Sequence, residues 1–384
     1  MDTPIDFVLI GSPASARTTL FQEALQGAGH APARVVPYGD LLAGRVALPG
    51  FVGPGSVVRI DSPDRDFAVE RAILALGAGV ADEEGDYARI DPGALATLDD
   101  ERGALRFPRQ WYLGYRELLA RIARQLDACP PHRRMNDPAE IAVMFDKPRC
   151  HALLAAGGIA VPRGLGVVDS YETLLARMRA TGCPRVFVKL AHGSSASGVV
   201  AFQIAGARRQ ATTTVEVVPT PGGVRLYNNL RVRTYRDERA IAALLDALCR
   251  HRVHVEQWVP NAGIQARTFD LRVVVIGGAA RHVVVRLSRH AMTNLHLSAG
   301  RTSGRAPLET LLTRLDRRVW EEARLTCERA MGLFPGSLYA GIDLLIASDY
   351  RRHAIAEINA FGDLLYNVWH EGKNTSAAEV AAVA

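Results

Sequence analysis

The run Lys189-Leu-Ala-His-Gly-Ser-Ser-Ala-Ser-Gly198 restricts the fold more than any other stretch of the 384-residue chain. Val186–Val188 before it and Val199–Phe202 after it are apolar and rich in β-branched residues, so both flanks read as strand. A loop of small residues between two antiparallel strands can turn its backbone N–H groups onto an anion, and serines add donors. In a dinucleotide fold or a Walker site the glycine loop would open a helix instead. A flexible turn is the plainer alternative, but a strand lysine directly before the loop favours an anion grip.

The N-terminal stretch has a different rhythm. Asp6–Ile10, Arg34–Val36 and Val57–Ile60 read as strands, with helices expected over Ser15–Ala28 and Asp66–Leu76. Such alternation predicts a small parallel α/β unit. Gly11–Thr19 lacks the lysine and spacing of a P-loop, and Gly11 stands alone, so this unit carries no nucleotide motif. Trp111–Leu126 is an amphipathic helix, and Cys129-Pro-Pro-His132 reads as a linker. Asn136-Asp-Pro caps a further helix, and Pro148–Ala156 continues helically to Gly157-Gly158.

From Arg185 onward the chain is rich in strands. Arg185–Leu190, Val199–Ile204, Val253–Val259, Phe269–Ile276, Ala280–Leu287, Tyr339–Ile346 and His353–Ile358 are expected to be extended. Helices are expected over Asp237–Cys249 and Leu315–Met331. Thr212–Val218 and Gly223–Tyr235 predict a hairpin, with an arm spanning 212–236 that carries Arg225, Arg231, Arg233 and Arg236. The expected domains are 1–130, 131–255 and 256–384.

The longest apolar runs, Ala72–Val80 and Val273–Ala280, fall well short of the roughly 20 residues of a membrane span. No basic cluster precedes the short apolar run Phe7–Ile10, so neither a membrane partner nor a signal peptide is expected. Five scattered cysteines without a C-x-x-C pair suit free thiols in a reducing cytoplasm. A net charge of +6 tolerates anionic ligands without calling for nucleic acid.

Of 46 basic residues, only Lys147, Lys189 and Lys373 are lysine. Where a chain so consistently uses arginine, a surviving lysine marks a position that needs a compact, mobile ammonium. Lys373 reads as a leftover surface residue; Lys147 and Lys189 do not.

Gly341-Ile-Asp343 and Ala356-Glu357-Ile-Asn359 lie on strands joined by a short turn. Alternation places Glu357 and Asn359 on one face and Ile358 in the core. If Asp343 lies opposite, three oxygen ligands converge, a set suited to a hard cation such as Mg²⁺ bridging phosphates. Asp270 and Arg272 share one strand face, and Val284, Arg286 and Ser288 another. Arginines planted in apolar strands need a carboxylate or an anion. An Asp–Arg pair accounts for one of them; two arginines facing a phosphate-bearing cleft account for both.

Taken in order, these parts resemble the RimK-like, glutathione-synthetase-like branch of the ATP-grasp proteins from about Asn136 to Asn359. Asp146-Lys147 with Gly157–Pro162 resembles the family's "DK … G(I/V)PVP", and Val186–Gly198 its "VK … GS … G" lid. Val255-Glu256-Gln257-Trp258-Val259 resembles the hinge strand. Asp270-Leu-Arg272 resembles "D(I/L)R", and Asn294–Gly300 the "N … GG" turn. Asp343 and Glu357-Ile-Asn359 resemble the metal-binding "D … E(V/I)N". Departures fall on the acceptor side: Leu190 replaces proline, and Ala-Phe-Gly-Asp follows Asn359 where many members have Ser-x-Pro-Gly.

The resemblance implies an α/β (α+β) protein in which a Rossmann-like pre-ATP-grasp domain precedes a two-lobed ATP-grasp fold. Lys147, Lys189 and the lid residues Gly193, Ser194 and Ser195 would hold ATP phosphates. Glu256, Gln257 and Val259 would read the adenine edge. Asp343, Glu357 and Asn359 would hold two Mg²⁺ ions, with Mn²⁺ able to substitute. Arg272, Arg286 and Asn294 would steady the transferred phosphoryl group. The implied activity is an ATP-dependent carboxylate–amine or carboxylate–thiol ligase working through an acyl phosphate. A small-molecule kinase and an ATP-binding regulatory subunit stay open as alternatives. The implied partners are small or peptide carboxylates and amines, and a homodimer is allowed.

Overall fold

A computed structural model describes residues 5–64, 66–193, 196–221, 223–264, 266–293 and 303–383. Its first sheet is parallel throughout. β1 (Phe7–Gly11) is flanked by β2 (Arg34–Pro37) and β3 (Val57–Ile60), and β4 (Arg133–Arg134) adds to β3. Every residue of β1 is buried. Val8 and Ile10 enter a core with helices α2 (Phe67–Ala78) and α3 (Pro108–Asp127), while Phe7 and Leu9 pack with α1 (Ala16–Gly27) and the C-terminal helix Thr375–Ala381. Two-sided burial is why β1 reads as an unbroken apolar run. Helix α3 begins earlier than its apolar periodicity suggests, because Pro108 occupies the first turn, where its missing N–H costs nothing.

Two helices lead on to the next sheet. Asp137 caps α4 (Pro138–Phe145) and Asp146 caps α5 (Lys147–Ala156), each carboxylate accepting a backbone N–H of its helix. Helix α6 (Tyr171–Thr181) has no counterpart among the sequence expectations, although Ser170 caps it and Gly182 ends it in a left-handed turn.

The second sheet is antiparallel, in the order β8-β7-β6-β5-β9. It comprises β5 (Arg185–Leu190), β6 (Val200–Ala205), β7 (Arg208–Thr220), β8 (Gly223–Tyr235) and β9 (Val253–Gln257), with α6 and α7 (Glu238–Cys249) against its core face. Ala211, Val215 and Leu226 are buried in that core, so the β7–β8 hairpin continues the sheet rather than standing off as a separate arm. The outer edge of β8 is paired: Leu105 N–H donates to Leu226 O at 2.9 Å and Asn228 N–H to Gly103 O at 2.7 Å.

The third sheet runs β13-β12-β11-β14-β15, with β10 (Gly263–Ile264) beside β11. Its strands are β11 (Arg267–Ile276), β12 (Ala279–Ser288), β13 (Ser303–Ala306), β14 (Tyr339–Ile346) and β15 (His353–Asn359), and helix α8 (Arg317–Met331) covers its apolar face. All five cysteines are free thiols. Among the described residues, no helix is long and apolar enough to cross a membrane.

Candidate active site

The third sheet's register assembles the charged face. Arg272 stands opposite Asp343, Asp270 opposite Arg286, Asp343 opposite Glu357, and Gly341 opposite Asn359. Residues directly across a ladder project to the same side. Arg286 donates to both oxygens of Asp270 (2.7 and 2.5 Å) and lies 3.1 Å from Asp343 Oδ1. Arg272 Nε donates to Asp343 Oδ1 at 2.5 Å, and its NH1 to Asp363 Oδ2 at 3.0 Å. Neither arginine stands free: both expected phosphoryl contacts are held by carboxylates. Burial alone would raise the Asp343 carboxyl, but Arg272 and Arg286 outweigh it and hold it at about 2.

Gly341 makes this geometry possible. A Cβ there would lie 2.7 Å from Gly362 O, so only glycine lets the turn after β15 rest on the strand. That turn delivers Asp363 to Arg272.

Lys147 comes from the other side of the cleft, and Lys189 from β5 of the second sheet. Lys147, the first residue of α5, donates to Gly193 O at 2.6 Å and lies 3.1 Å from Glu357 Oε1, so it joins the lid loop to the third sheet. Lys189 on β5 is buried with its Nζ 2.5 Å from Glu256 Oε1. Burial would lower its pKa, but Glu256 reverses the direction, and the glutamate itself is held at about 2 against the pull of burial. Gly198 closes the lid loop at φ +71, with Leu190 packed where a side chain would go. The lid positions Ser194 and Ser195, and Asn294, lie outside the described residues. Lys373 is exposed, as a leftover surface lysine should be.

Along the hinge, β9 stops at Gln257, short of the expected Val259. Gln257 N–H donates to Arg163 O at 2.8 Å and Trp258 N–H to Arg185 O at 3.0 Å. The backbone N–H of Val259 has no backbone acceptor among the described residues. His254 stands opposite Lys189 and 3.3 Å from Glu256 Oε2, so it belongs to the lysine's charge pair.

A buried network behind the lid has no precedent in the sequence reading. Asp146 Oδ2 lies 3.2 Å from His192 Nε2 and accepts from Arg252 at 2.8 Å. Arg109 lies 3.4 Å from the same imidazole and grips Asp82 through two bonds at 2.7 and 2.6 Å. Arg252 also pairs with Glu84. Tyr112 stacks on His192 with ring centroids 4.0 Å apart. The Asp of the Asp-Lys motif is therefore structural: it caps α5 and fastens the N-terminal unit to the lid, so that Lys147 is presented in one position. Burial holds the His192 imidazole at about 4, opposed by Asp146, so it stays neutral near pH 7. Asp-Lys adjacency was visible in the chain; partners 46 and 106 residues away were not.

Between Lys147 and the arginines lies a cleft of about 370 Å³, lined by Lys147, Arg272, Arg286, Asp343, Glu357 and Asn359 among others. A narrow apolar slot of about 10 Å³ adjoins it, sharing Met144, Lys147, Glu357 and Ile358 and reaching to Val161 and His254. Among the described residues no group of three His, Cys, Asp or Glu side chains converges as a metal site. The oxygen donors expected to meet a cation are the Asp343 and Glu357 carboxylates and the Asn359 amide, whose NH₂ donates weakly to Gly341 O at 3.3 Å and leaves its oxygen free.

No family model matches the chain, and no curated protein matches it by sequence. Solved structures do match over nearly its whole length. ATP-grasp ligase PsnB complexed with minimal precursor is 17% identical at TM-score 0.55, covering 98% of this chain and 99% of PsnB. PsnB with minimal precursor, Mg and ADP is 16% identical at TM-score 0.54, covering 100% of both. D-cycloserine synthetase DcsG is 15% identical at TM-score 0.55, and macrocyclase MdnC from Microcystis aeruginosa MRC, bound with precursor peptide MdnA, is 14% identical at 0.51; each match covers 98% of both chains. Its parallel N-terminal unit, lid sheet and charged antiparallel sheet give this chain the ATP-grasp fold.

Proposed function

We propose that this protein is an ATP-dependent ligase joining a carboxylate to an amine and releasing ADP and phosphate. One observation carries the reading: Lys147 on one side of a single cleft faces Asp343, Glu357, Arg272 and Arg286 on the other, and the buried Lys189, paired with Glu256, feels the charges of Glu357 and Asp343. PsnB, of the same fold, has been solved with Mg and ADP.

With its charges paired internally, the cleft is near neutral. Binding of Mg-ATP exchanges partners. Asp343, Glu357 and the Asn359 oxygen are the groups that would hold Mg²⁺, an all-oxygen set that fits a hard cation. An ion held there would offset the charge of the phosphates. Lys147 and Lys189, released from Glu357 and Glu256, take up phosphate oxygens. The adenine end would lie at the slot beside His254, which must widen to take it.

Arg272 and Arg286 then face the transferred group. A substrate carboxylate oxygen attacks the γ-phosphorus, and the bond to the ADP oxygen breaks. An amine nitrogen attacks the resulting acyl carbon, the carbon–oxygen bond to phosphate breaks, and an amide remains. Fixed positive charge at the phosphoryl oxygens lowers both barriers without reorganising during the reaction. PsnB has been solved with precursor peptide PsnA2 and MdnC with precursor peptide MdnA, so peptide carboxylates belong in the substrate panel beside small ones.

The test is ADP release with Mg-ATP against a panel of carboxylates and amines, read together with product mass. ADP formation coupled to amide formation, with loss of water from the summed masses, supports the ligase. A stable phosphorylated product would instead mark a kinase.

A further inference from the structure

A third cavity, of about 260 Å³, opens off the cleft on the side of the N-terminal unit. It shares Ser62, Asp64, Phe145, His192 and Gly193 with the cleft and no residue with the slot beside His254. The three spaces therefore lie in series: slot, cleft, third cavity. On the ligase reading above, the nucleotide occupies the slot end, so a second substrate reaches the transferred phosphoryl group from the third cavity.

The walls of this cavity combine two kinds of chemistry. Val69 and Ile73, a turn apart on α2, present an apolar surface together with Trp111 and Phe145. Trp111 is stacked on Tyr115 at 5.0 Å and aligned with Phe145 at 6.2 Å, which fixes its indole while leaving part of it exposed. Two carboxylates, Asp64 and Glu70, line the same space. Asp64 is exposed and Glu70 half-buried, and neither has an ion-pair partner among the described residues; Arg106, the cation on the same wall, is engaged by Glu101. Burial, with Asp100 nearby, pushes the Glu70 carboxyl upward by more than Arg106 lowers it. With Arg106 taken by Glu101, an apolar wall that also presents two carboxylates is complementary to an ammonium on an apolar body.

We infer that the third cavity seats the amine nucleophile, and that this amine carries an aromatic or branched aliphatic group. Its apolar body lies against Trp111 and Ile73, and its ammonium lies among the carboxylates. Asp64 borders both cavity and cleft, so the nitrogen held there faces the acyl carbon. One ammonium proton passes to Asp64 and on to water, and the free amine attacks. As the C–N bond forms, the carbon–oxygen bond to phosphate breaks, and the second proton leaves with phosphate.

Calorimetry on the full chain tests this with three probes: 2-phenylethylamine, 2-phenylethanol and ethylamine, each in the presence of Mg²⁺ and the ATP analogue AMPPNP. The expected result is that 2-phenylethylamine binds at least tenfold tighter than either of the others. The double variant Asp64→Asn/Glu70→Gln should bring it down to the level of the alcohol, and Trp111→Ala to the level of ethylamine. Because Trp111 also packs on Tyr115, the carboxylate variant decides if Trp111→Ala fails to fold. Equal binding of the three probes by the wild type, or an unchanged amine preference in the carboxylate variant, overturns the assignment. AMPPNP affinity is read in the same titrations: its absence from the wild type, with amine selectivity intact, overturns the ligase reading alone.

Discussion

Arg272 and Asp343 face each other in register on adjacent strands, with Arg272 Nε 2.5 Å from Asp343 Oδ1. The same carboxylate oxygen lies 3.1 Å from Arg286, and Glu357 beside it is matched by Lys147. Every charge assigned to metal or phosphate thus has an opposite charge already in place. A cation and a triphosphate arriving together can take the two signs separately, so ligand binding exchanges ion pairs rather than stripping lone charges of solvent.

Removing one member of such a set leaves the other uncompensated. Arg272→Ala strips a guanidinium from Asp343 and Asp363, and should cost about 3 kcal/mol of stability by urea denaturation. The double variant Arg272→Ala/Asp343→Ala should cost less than the sum of the single ones, since the paired charges go together. Strict additivity would show that the two side chains are not coupled.

The lysines should separate binding from stability. Lys147→Ala and Lys189→Ala should each weaken Mg-ATP binding at least tenfold, about 1.4 kcal/mol, by calorimetry. Only Lys189→Ala should also lower the melting temperature, because it strands the buried Glu256, whereas Lys147 is partly exposed. Wild-type nucleotide affinity in both variants would sink the assignment of the cleft.

Acid should act in two stages. His192 and His251 are held at about 4 by burial, against an ordinary value of 6.5. A histidine depressed in the folded state contributes fully above pH 6.5 and loses that contribution as pH falls towards 4. Asp343 and Glu256, held at about 2, contribute fully above their ordinary range near 4 and lose it only as pH falls towards 2. Urea midpoints should therefore begin to drop below pH 6.5, and His192→Gln should flatten the first stage. A constant midpoint from pH 7 to 5 would contradict it.

Gly341→Ala should disturb the site through packing alone. Its new methyl meets Gly362 O at 2.7 Å and pushes the turn off β14. A loss of about 2 kcal/mol is expected from such overpacking, with a fall in ADP release because Asp363 no longer reaches Arg272. An unchanged melting temperature would show that the turn moves freely.

Much of this was written locally in the chain. Val57–Ile60, Arg185–Leu190 and Tyr339–Ile346 are strands at the residues where apolar, β-branched runs place them, because strand burial imprints its pattern on neighbouring positions. Helix α6 was missed although Ser170 and Gly182 bracket it; its partly exposed surface, with Arg177 and Arg179, blurs the apolar stripe. The extent of the lid sheet was also hidden, because Arg225 and Arg231 on β8 read as a solvated hairpin while Leu226 between them enters the core.

By itself the sequence determined the order of the parts, the two lysines retained among arginines, and the oxygen-bearing residues Asp343, Glu357 and Asn359. These are properties of residue type and short-range periodicity. Only the tertiary structure decided which charge meets which: Arg286 with Asp270, Arg272 with both Asp343 and Asp363, and Asp146 with His192 and Arg252. Coulomb and hydrogen-bond partners are chosen by distance in space. Strand register and the close turn over Gly341 set those distances, and neither can be read from spacing along the chain.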